Sequence, residues 1–186
     1  MMLKVEERDE VIYLRFLDTQ NEEDMGVLLR RHRESLMLFL YGFVHNMEDA
    51  EELMLDSFGI AASCAAPYSG RSSFKTWLFG IARNRAKMFL RKKRFSLTPL
   101  HEVHHPVCET PEVELLREER NRQLYRALDE LNPEYRNVLY LMYFEEMKPE
   151  EISRILNKNV KQVYNLANRG RTSLRTILEG MGFENA

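Results

Sequence analysis

Residues 149–178 read PEEISRILNKNVKQVYNLANRGRTSLRTIL, two helical patterns on either side of a short polar break. Pro149 suits the first turn of a helix ending near Leu156, where its missing N–H would lack an intrahelical partner in any case. Asn157-Lys158-Asn159 reads as the turn, with Asn159 as N-cap of a final helix running to about Leu178. In that helix Val160, Val163, Ala167, Gly170 and Leu174 recur at steps of three and four, a stripe that should pack inward. The opposite face carries Lys161, Gln162, Asn165, Asn168, Arg169 and Thr172, with no acid among them. The pattern is a helix-turn-helix whose second helix offers amides and cations, groups suited to base edges and phosphates. An amphipathic helix with an ordinary polar surface is the bland alternative, and the absence of acids weighs against it.

Outward from this pair the periodicity stays helical and strand alternation is nearly absent. Helices are expected at Arg120–Leu131, stopped by Asn132-Pro133, and at Glu134–Phe144. From Phe95 to about Glu119 the pattern collapses: Pro99, Pro106 and Pro111 forbid a continuous helix and the composition turns acidic, as in a linker. Before it, Phe74–Arg94 reads as a long helix with Leu78, Ile81, Met88 and Phe89 assigned to the core. Ala66-Pro67-Tyr68-Ser69-Gly70 is a loop, and Glu48–Ala62 and Asp24–Phe43 are further helices. A short helix at Val11–Leu17 should pack on these. The expected fold is all-α: two small helical domains, 24–94 and 121–180, on a flexible linker at 95–120, with an extension at 1–23 and a tail at 181–186.

The 186 residues carry 27 Lys+Arg and 29 Asp+Glu, a formal charge of -2 that taken whole argues against a polyanionic partner. The average conceals blocks. Residues 1–60 hold 14 acidic and 6 basic side chains, whereas 71–94 hold nine basic and no acidic ones. Residues 158–175 add five basic residues, again without an acid. Two basic stripes separated by an acidic tether are therefore candidates for a nucleic-acid surface. The first stripe interleaves its cations with Phe74, Trp77, Phe79 and Phe89 beside a Pro/Gly loop. Rings that stack on bases and cations that follow phosphates are what single-stranded DNA requires, and Phe74 and Trp77 lie nearest the loop.

The run DAEELMLDSF (49–58), followed by SFKTWLFGIARNRAKMFLRKKR (73–94), resembles region 2 of extracytoplasmic-function sigma factors of the sigma-70 family. ALDELNPEYRNVLYLMYFEEMKPEEISRILNKNVKQVYNLANRGRTSLR (127–175) is similar to region 4, with its Leu131-Asn132-Pro133 break, EEI triplet at 150–152 and R-x-R near the end of the recognition helix. The chain departs from the usual pattern at Leu55, Tyr164 and Leu166. The resemblance implies binding of core RNA polymerase through Asp49, Glu52, Asp56 and Phe58. It implies recognition and melting of the -10 promoter element by Tyr68, Arg71, Phe74, Lys75, Trp77, Arg83, Asn84, Lys87 and Arg91. It implies reading of the -35 element by Lys161, Gln162, Tyr164, Asn165, Asn168, Arg169 and Arg171. On this reading the protein is not itself an enzyme. It needs no cofactor or metal, acts in the cytoplasm, and is silenced by an anti-sigma factor. A helix-turn-helix repressor or activator working without core polymerase is the runner-up; it gives no use to a basic, aromatic melting helix.

Other signals are weaker. His101-Glu102-Val103-His104-His105 satisfies H-E-x-x-H, but Pro99 and Pro106 bracket it and the residue before a proline disfavours the helix that zinc chemistry needs there. Metal or redox sensing by His101, His104, His105 and Cys108 is a lesser alternative. Two cysteines make no disulfide framework, and Cys64, set among alanines, is expected to be a buried small residue. The longest apolar run, Leu36–Val44, is too short to cross a bilayer, and the charged N-terminus lacks a signal-peptide pattern.

Overall fold

A computed structural model describes residues 7–64, 66–95, 124 and 126–182. The first helices are α1 (Asp9–Thr19), α2 (Glu22–Val44), α3 (Met47–Ala62) and α4 (Phe74–Phe95). Residues 126–130 are helical, followed by α5 (Pro133–Leu139), which continues as a π-helical turn (Tyr140–Phe144). The helices α6 (Pro149–Leu156) and α7 (Val160–Gly180) complete the order, and no strand occurs among the described residues. Contacts divide the chain into two compact units, one centred on α1–α4 and the other on α5 and α7.

Asparagines start four of these helices. The side chains of Asn21, Asn46, Asn132 and Asn159 accept from backbone amides of the first turn, pairing donors that the helix leaves without intrahelical partners. At Asn159 the arrangement is reciprocal: Asn159 Oδ1 accepts from the Gln162 amide and Gln162 Oε1 from the Asn159 amide, each at 2.8 Å.

In the first unit α2 packs on α3, α3 on α4, and α1 lies against α2 and α4. Leu28, Leu36, Phe39, Leu40, Leu53, Met54, Phe74, Leu78 and Phe79 fill its interior. On α4 the buried stripe steps by four through Phe74, Leu78, Ala82 and Ala86. Met88 lies two residues beyond Ala86, more than half a turn off the stripe, and is 52% exposed, so its expected place in the core is corrected. Phe89 is only half-buried, with the Lys93 ammonium 5.4 Å from its ring centroid. Cys64 also departs from expectation: it lies just beyond Ser63, the C-cap of α3, with φ 55° and is exposed.

Helix α1 is longer than expected and is clamped by ions. Arg15 forks onto the buried Asp24 at 2.6 and 2.9 Å and reaches Glu7 at 2.8 Å. Asp9 binds Arg31 and the buried His32, each at 2.7 Å. The Arg15 fork holds the Asp24 carboxyl below its ordinary range. Burial by itself raises the Asp9 carboxyl, and the bonds to His32 and Arg31 outweigh it, so the net shift is downward.

In the second unit Leu128, Leu131 and Leu139 form a buried cluster against which Leu124, Leu174 and Ile177 pack. Gly170 lets α7 approach α5 closely, since a Cβ there would lie 3.2 Å from Leu139 and Tyr135 side-chain atoms. Arg136 is buried; its Nε donates to the Leu128 carbonyl at 2.6 Å and its Nη2 to the Asp129 carbonyl, pairing acceptors near the end of the preceding helical segment. The single helix expected at Glu134–Phe144 is instead broken into α-helix and π-turn. The Glu145 amide donates to the Tyr140 carbonyl at 3.2 Å, and the Tyr140 hydroxyl holds Glu145 Oε1 at 2.8 Å.

Candidate nucleic-acid interface

The segment joining α3 to α4 turns through Gly70 (φ 68°) and ends in a capped helix start. The Tyr68 hydroxyl donates to the Ser72 carbonyl at 2.8 Å, and Ser73 Oγ accepts from the Thr76 amide at 3.1 Å. Tyr68 and Trp77, both half-buried, stand 5.2 Å apart between ring centroids. Phe74 lies 5.7 Å from Trp77 and 6.5 Å from Tyr68, and Tyr13 of α1 closes the cluster from below. Phe74, however, is 0% exposed, so its expected contact with DNA is corrected: it is the core ring on which its partly exposed neighbours rest. Burial, and then the Cys64 and Tyr68 charges, push the Tyr13 phenol up to about 12, so its hydroxyl stays a donor at neutral pH.

Beyond the cluster α4 presents its cations. Lys87 and Arg91 of α4 are exposed and Lys75 and Arg83 half-buried; the amide Asn84 and, in the preceding loop, Arg71 are also exposed. Lys87 and Arg91 are four residues apart, hence on one face. Two other cations turn towards α3: Arg85 binds Asp56 Oδ2, and Lys93 lies 3.2 Å from Asp49 Oδ2. The acids are seven residues apart and the cations eight, on antiparallel helices. This matched spacing was the one signal in the sequence that could have disclosed the pairing.

On α3 itself Glu52 and Leu55 are exposed and Asp49 and Asp56 half-exposed. Glu52, Leu55, Asp56, Ile60 and Arg85 line a shallow concavity. Phe58 is 5% exposed, on the buried stripe with Met54 and Ala61, so its expected role as a surface contact is corrected in favour of the core.

In the helix-turn-helix, Asn157 adopts φ 51° to make the turn between α6 and α7. Val163, Ala167 and Gly170 are buried, while Lys161, Gln162, Tyr164, Asn165, Asn168, Arg169 and Arg171 are exposed. No acidic residue occupies the first turn of α7, so its positive dipole end is uncancelled from within the helix. Arg171 is oriented by the Asn168 side chain and, at 3.3 Å, by the hydroxyl of Tyr143 in the π-turn. The Gln162 carbonyl oxygen is engaged in the cap, which removes it from a two-atom pairing with adenine while the cap is closed.

Residues 101, 104, 105 and 108 lie outside the described residues. Among the described residues there is no group of three or more His, Cys, Asp or Glu able to hold a metal ion, and no helix is long and apolar enough to cross a membrane.

Residues 28–96 match the family described as Sigma-70 region 2, and residues 121–174 match Sigma-70, region 4. The chain belongs to the extracytoplasmic-function group of the sigma-70 family. It is a sigma factor, directing promoter-specific initiation by RNA polymerase. RNA polymerase sigma factor YlaC of Bacillus subtilis is 28% identical over 160 residues, covering 84% of this chain and 92% of YlaC. ECF RNA polymerase sigma factor SigX of the same organism is 26% identical over 165 residues, covering 85% of each. Among solved structures, the sigma factor RpoE in complex with the anti-sigma factor NepR from Bartonella quintana shares the fold, with a TM-score of 0.68 and 20% identity over 84% of this chain and 98% of that one. CnrH, solved with the cytosolic domain of CnrY, does so at 0.66 and 22% over 92% and 97%. The sigma-70 region 2 match begins after α1.

Proposed function

We propose that the two units of this sigma factor divide promoter recognition between them, with boundaries at 24–94 and 121–180. The acids of α3, exposed at Glu52 and half-exposed at Asp49 and Asp56, bind the core polymerase. Tyr68 and Trp77 receive unstacked bases of the -10 element, while Arg71, Lys75, Arg83, Asn84, Lys87 and Arg91 hold its phosphates. Lys161, Tyr164, Asn165, Asn168, Arg169 and Arg171 of α7 contact the -35 element, and Gln162 acts first as a cap. The observation that supports this most is the pairing of a partly exposed aromatic cluster with an acid-free run of cations on α4. The acidic linker at 95–120 passes through the polymerase towards its RNA exit path. The protein acts in the cytoplasm, catalyses no reaction of its own, needs no cofactor, and is held inactive by an anti-sigma factor.

Base readers and phosphate holders respond differently to substitution. Asn165→Ala is expected to cost about 1–3 kcal/mol at one -35 position and to relax discrimination there. Arg91→Ala should instead weaken holoenzyme binding on all promoter sequences alike and reduce the salt slope by about one. Competition binding on a set of -35 variants, at two salt concentrations, separates the two. Uniform loss in both variants would remove Asn165 from the reading set.

A further inference from the structure

Helix α1 precedes the region 2 match, yet it touches both ends of the loop that carries Tyr68 and the start of α4. The amide of Phe74, the first residue of α4, donates to Glu10 Oε1 at 3.0 Å. The Tyr13 hydroxyl donates to the carbonyl of Ala61, in the last turn of α3, at 2.9 Å. The Tyr13 ring, 1% exposed, meets Tyr68, Phe74 and Trp77 at centroid distances of 5.5, 4.9 and 5.1 Å.

The electrostatics agree with the geometry. The first turn of α4 has no acid of its own, and the Glu10 carboxylate supplies from another helix the negative charge that a helix N-terminus favours. The other Glu10 oxygen pairs with Arg8 at 3.2 Å. Burial first, and the Glu10 charge second, raise the Tyr68 phenol, with Arg8 opposing. Helix α1 is itself fixed to α2 by the Asp9 and Arg15 clamps described above, so Glu10 and Tyr13 project from a rigid support.

We propose that Glu10 and Tyr13 are positioning residues for promoter melting: α1 is a strut that holds Trp77 and Tyr68 in the arrangement that captures unstacked DNA. The proposal rests on the assignment of this cluster to the -10 element. Its physical basis is preorganisation. Rings already fixed on Tyr13 lose little freedom when a base stacks on them, whereas rings on an untethered loop must be ordered at the moment of melting.

Trp77 is the one tryptophan of the chain, so tryptophan emission of the full-length protein, excited where tyrosine does not absorb, reports on the site. Acrylamide quenching of Trp77 is measured in the free protein, and core affinity, closed-complex binding and permanganate reactivity of -10 thymines in the holoenzyme. Glu10→Ala is expected to raise quenching and slow open-complex formation about tenfold, with core affinity and closed-complex binding unchanged. Glu10→Gln keeps an oxygen acceptor and should restore most of the loss. Tyr13→Phe, which keeps the ring, should raise quenching in the same direction and serves if Glu10→Ala does not fold. Unmoved quenching and melting in folded variants would overturn the strut, as would equal loss of core binding, closed complex and melting that Gln does not restore. The two ideas fail separately. If Trp77→Ala leaves melting intact while Glu10→Ala moves quenching, the -10 assignment is wrong and the strut has lost its purpose. If Trp77→Ala abolishes melting while the Glu10 variants change nothing, the assignment stands and the strut is wrong.

Discussion

Phe74→Ala is expected to lower the stability of the first unit by about 3–5 kcal/mol. The ring is 0% exposed and packs against Tyr13 at 4.9 Å and Trp77 at 5.7 Å, so its removal leaves a cavity at the junction of α1 and α4. Neighbours pinned by the Glu10 cap and the Tyr13–Ala61 bond have little freedom to collapse into it. Denaturant unfolding followed by Trp77 emission gives the loss directly, without DNA or polymerase. A change below about 1 kcal/mol, with melting activity selectively lost, would return Phe74 to the role of a stacking ring that its sequence position suggested.

Trp77→Ala should act on DNA rather than on folding. One base–aromatic stack contributes about 1–3 kcal/mol, so open-complex formation should fall about 5- to 150-fold. Closed-complex binding depends on duplex contacts elsewhere and should hardly change. The half-buried setting of Trp77 against Tyr68 and Tyr13 predicts a smaller stability loss than for Phe74. Permanganate footprinting beside a filter-binding measurement distinguishes the two steps. Equal loss in both would make Trp77 a structural ring and leave Tyr68 to meet the bases.

These two neighbouring aromatics mark the limit of what the sequence discloses. Both stand at the loop and both are large and apolar, so composition places them together. Only the register of α4 on its partners separates them: Phe74 begins the stripe continued by Leu78, Ala82 and Ala86, and Trp77 lies off it. The same register explains Met88, whose apolar character suggested the core and whose angle denies it. Helix ends were legible because their signals are local, as at Asn159 and Pro149. The recognition helix was legible because its period and its lack of acids are both properties of one segment.

Long-range pairings left little trace, the spacing of the α3 acids and α4 cations excepted. Glu10 lies 64 residues from Phe74, and nothing in its charged surroundings marks it as the partner of a distant amide. Arg136 is buried against two carbonyls, a placement that its own segment, PEYRNVL, does not mark. The π-turn at Tyr140–Phe144, closed by the Glu145 amide on the Tyr140 carbonyl and accompanied by the Tyr140–Glu145 side-chain bond, is not foretold by helical periodicity. The acids of α3 read as a free surface for a partner, whereas Asp49 and Asp56 are already matched by Lys93 and Arg85. Exchange of such half-exposed pairs for a partner's cations costs little, because an exposed ion pair contributes only about 0–1 kcal/mol. Their engagement in the free protein is therefore compatible with polymerase binding.

Promoter specificity conferred on core RNA polymerase through two separate DNA-contacting units, as proposed above, has a distinct signature in transcription. Run-off transcription with purified core polymerase, on promoters selected by the holoenzyme from a random library, reads it. Specific transcripts should appear only when core and this protein are both present. They should depend on sequence at both the -35 and the -10 positions, and a pre-melted -10 region should rescue Trp77→Ala but not Arg169→Ala. Tight, sequence-specific binding of duplex DNA by the protein alone, with no specific transcript from any selected promoter, would rule out this division of promoter recognition.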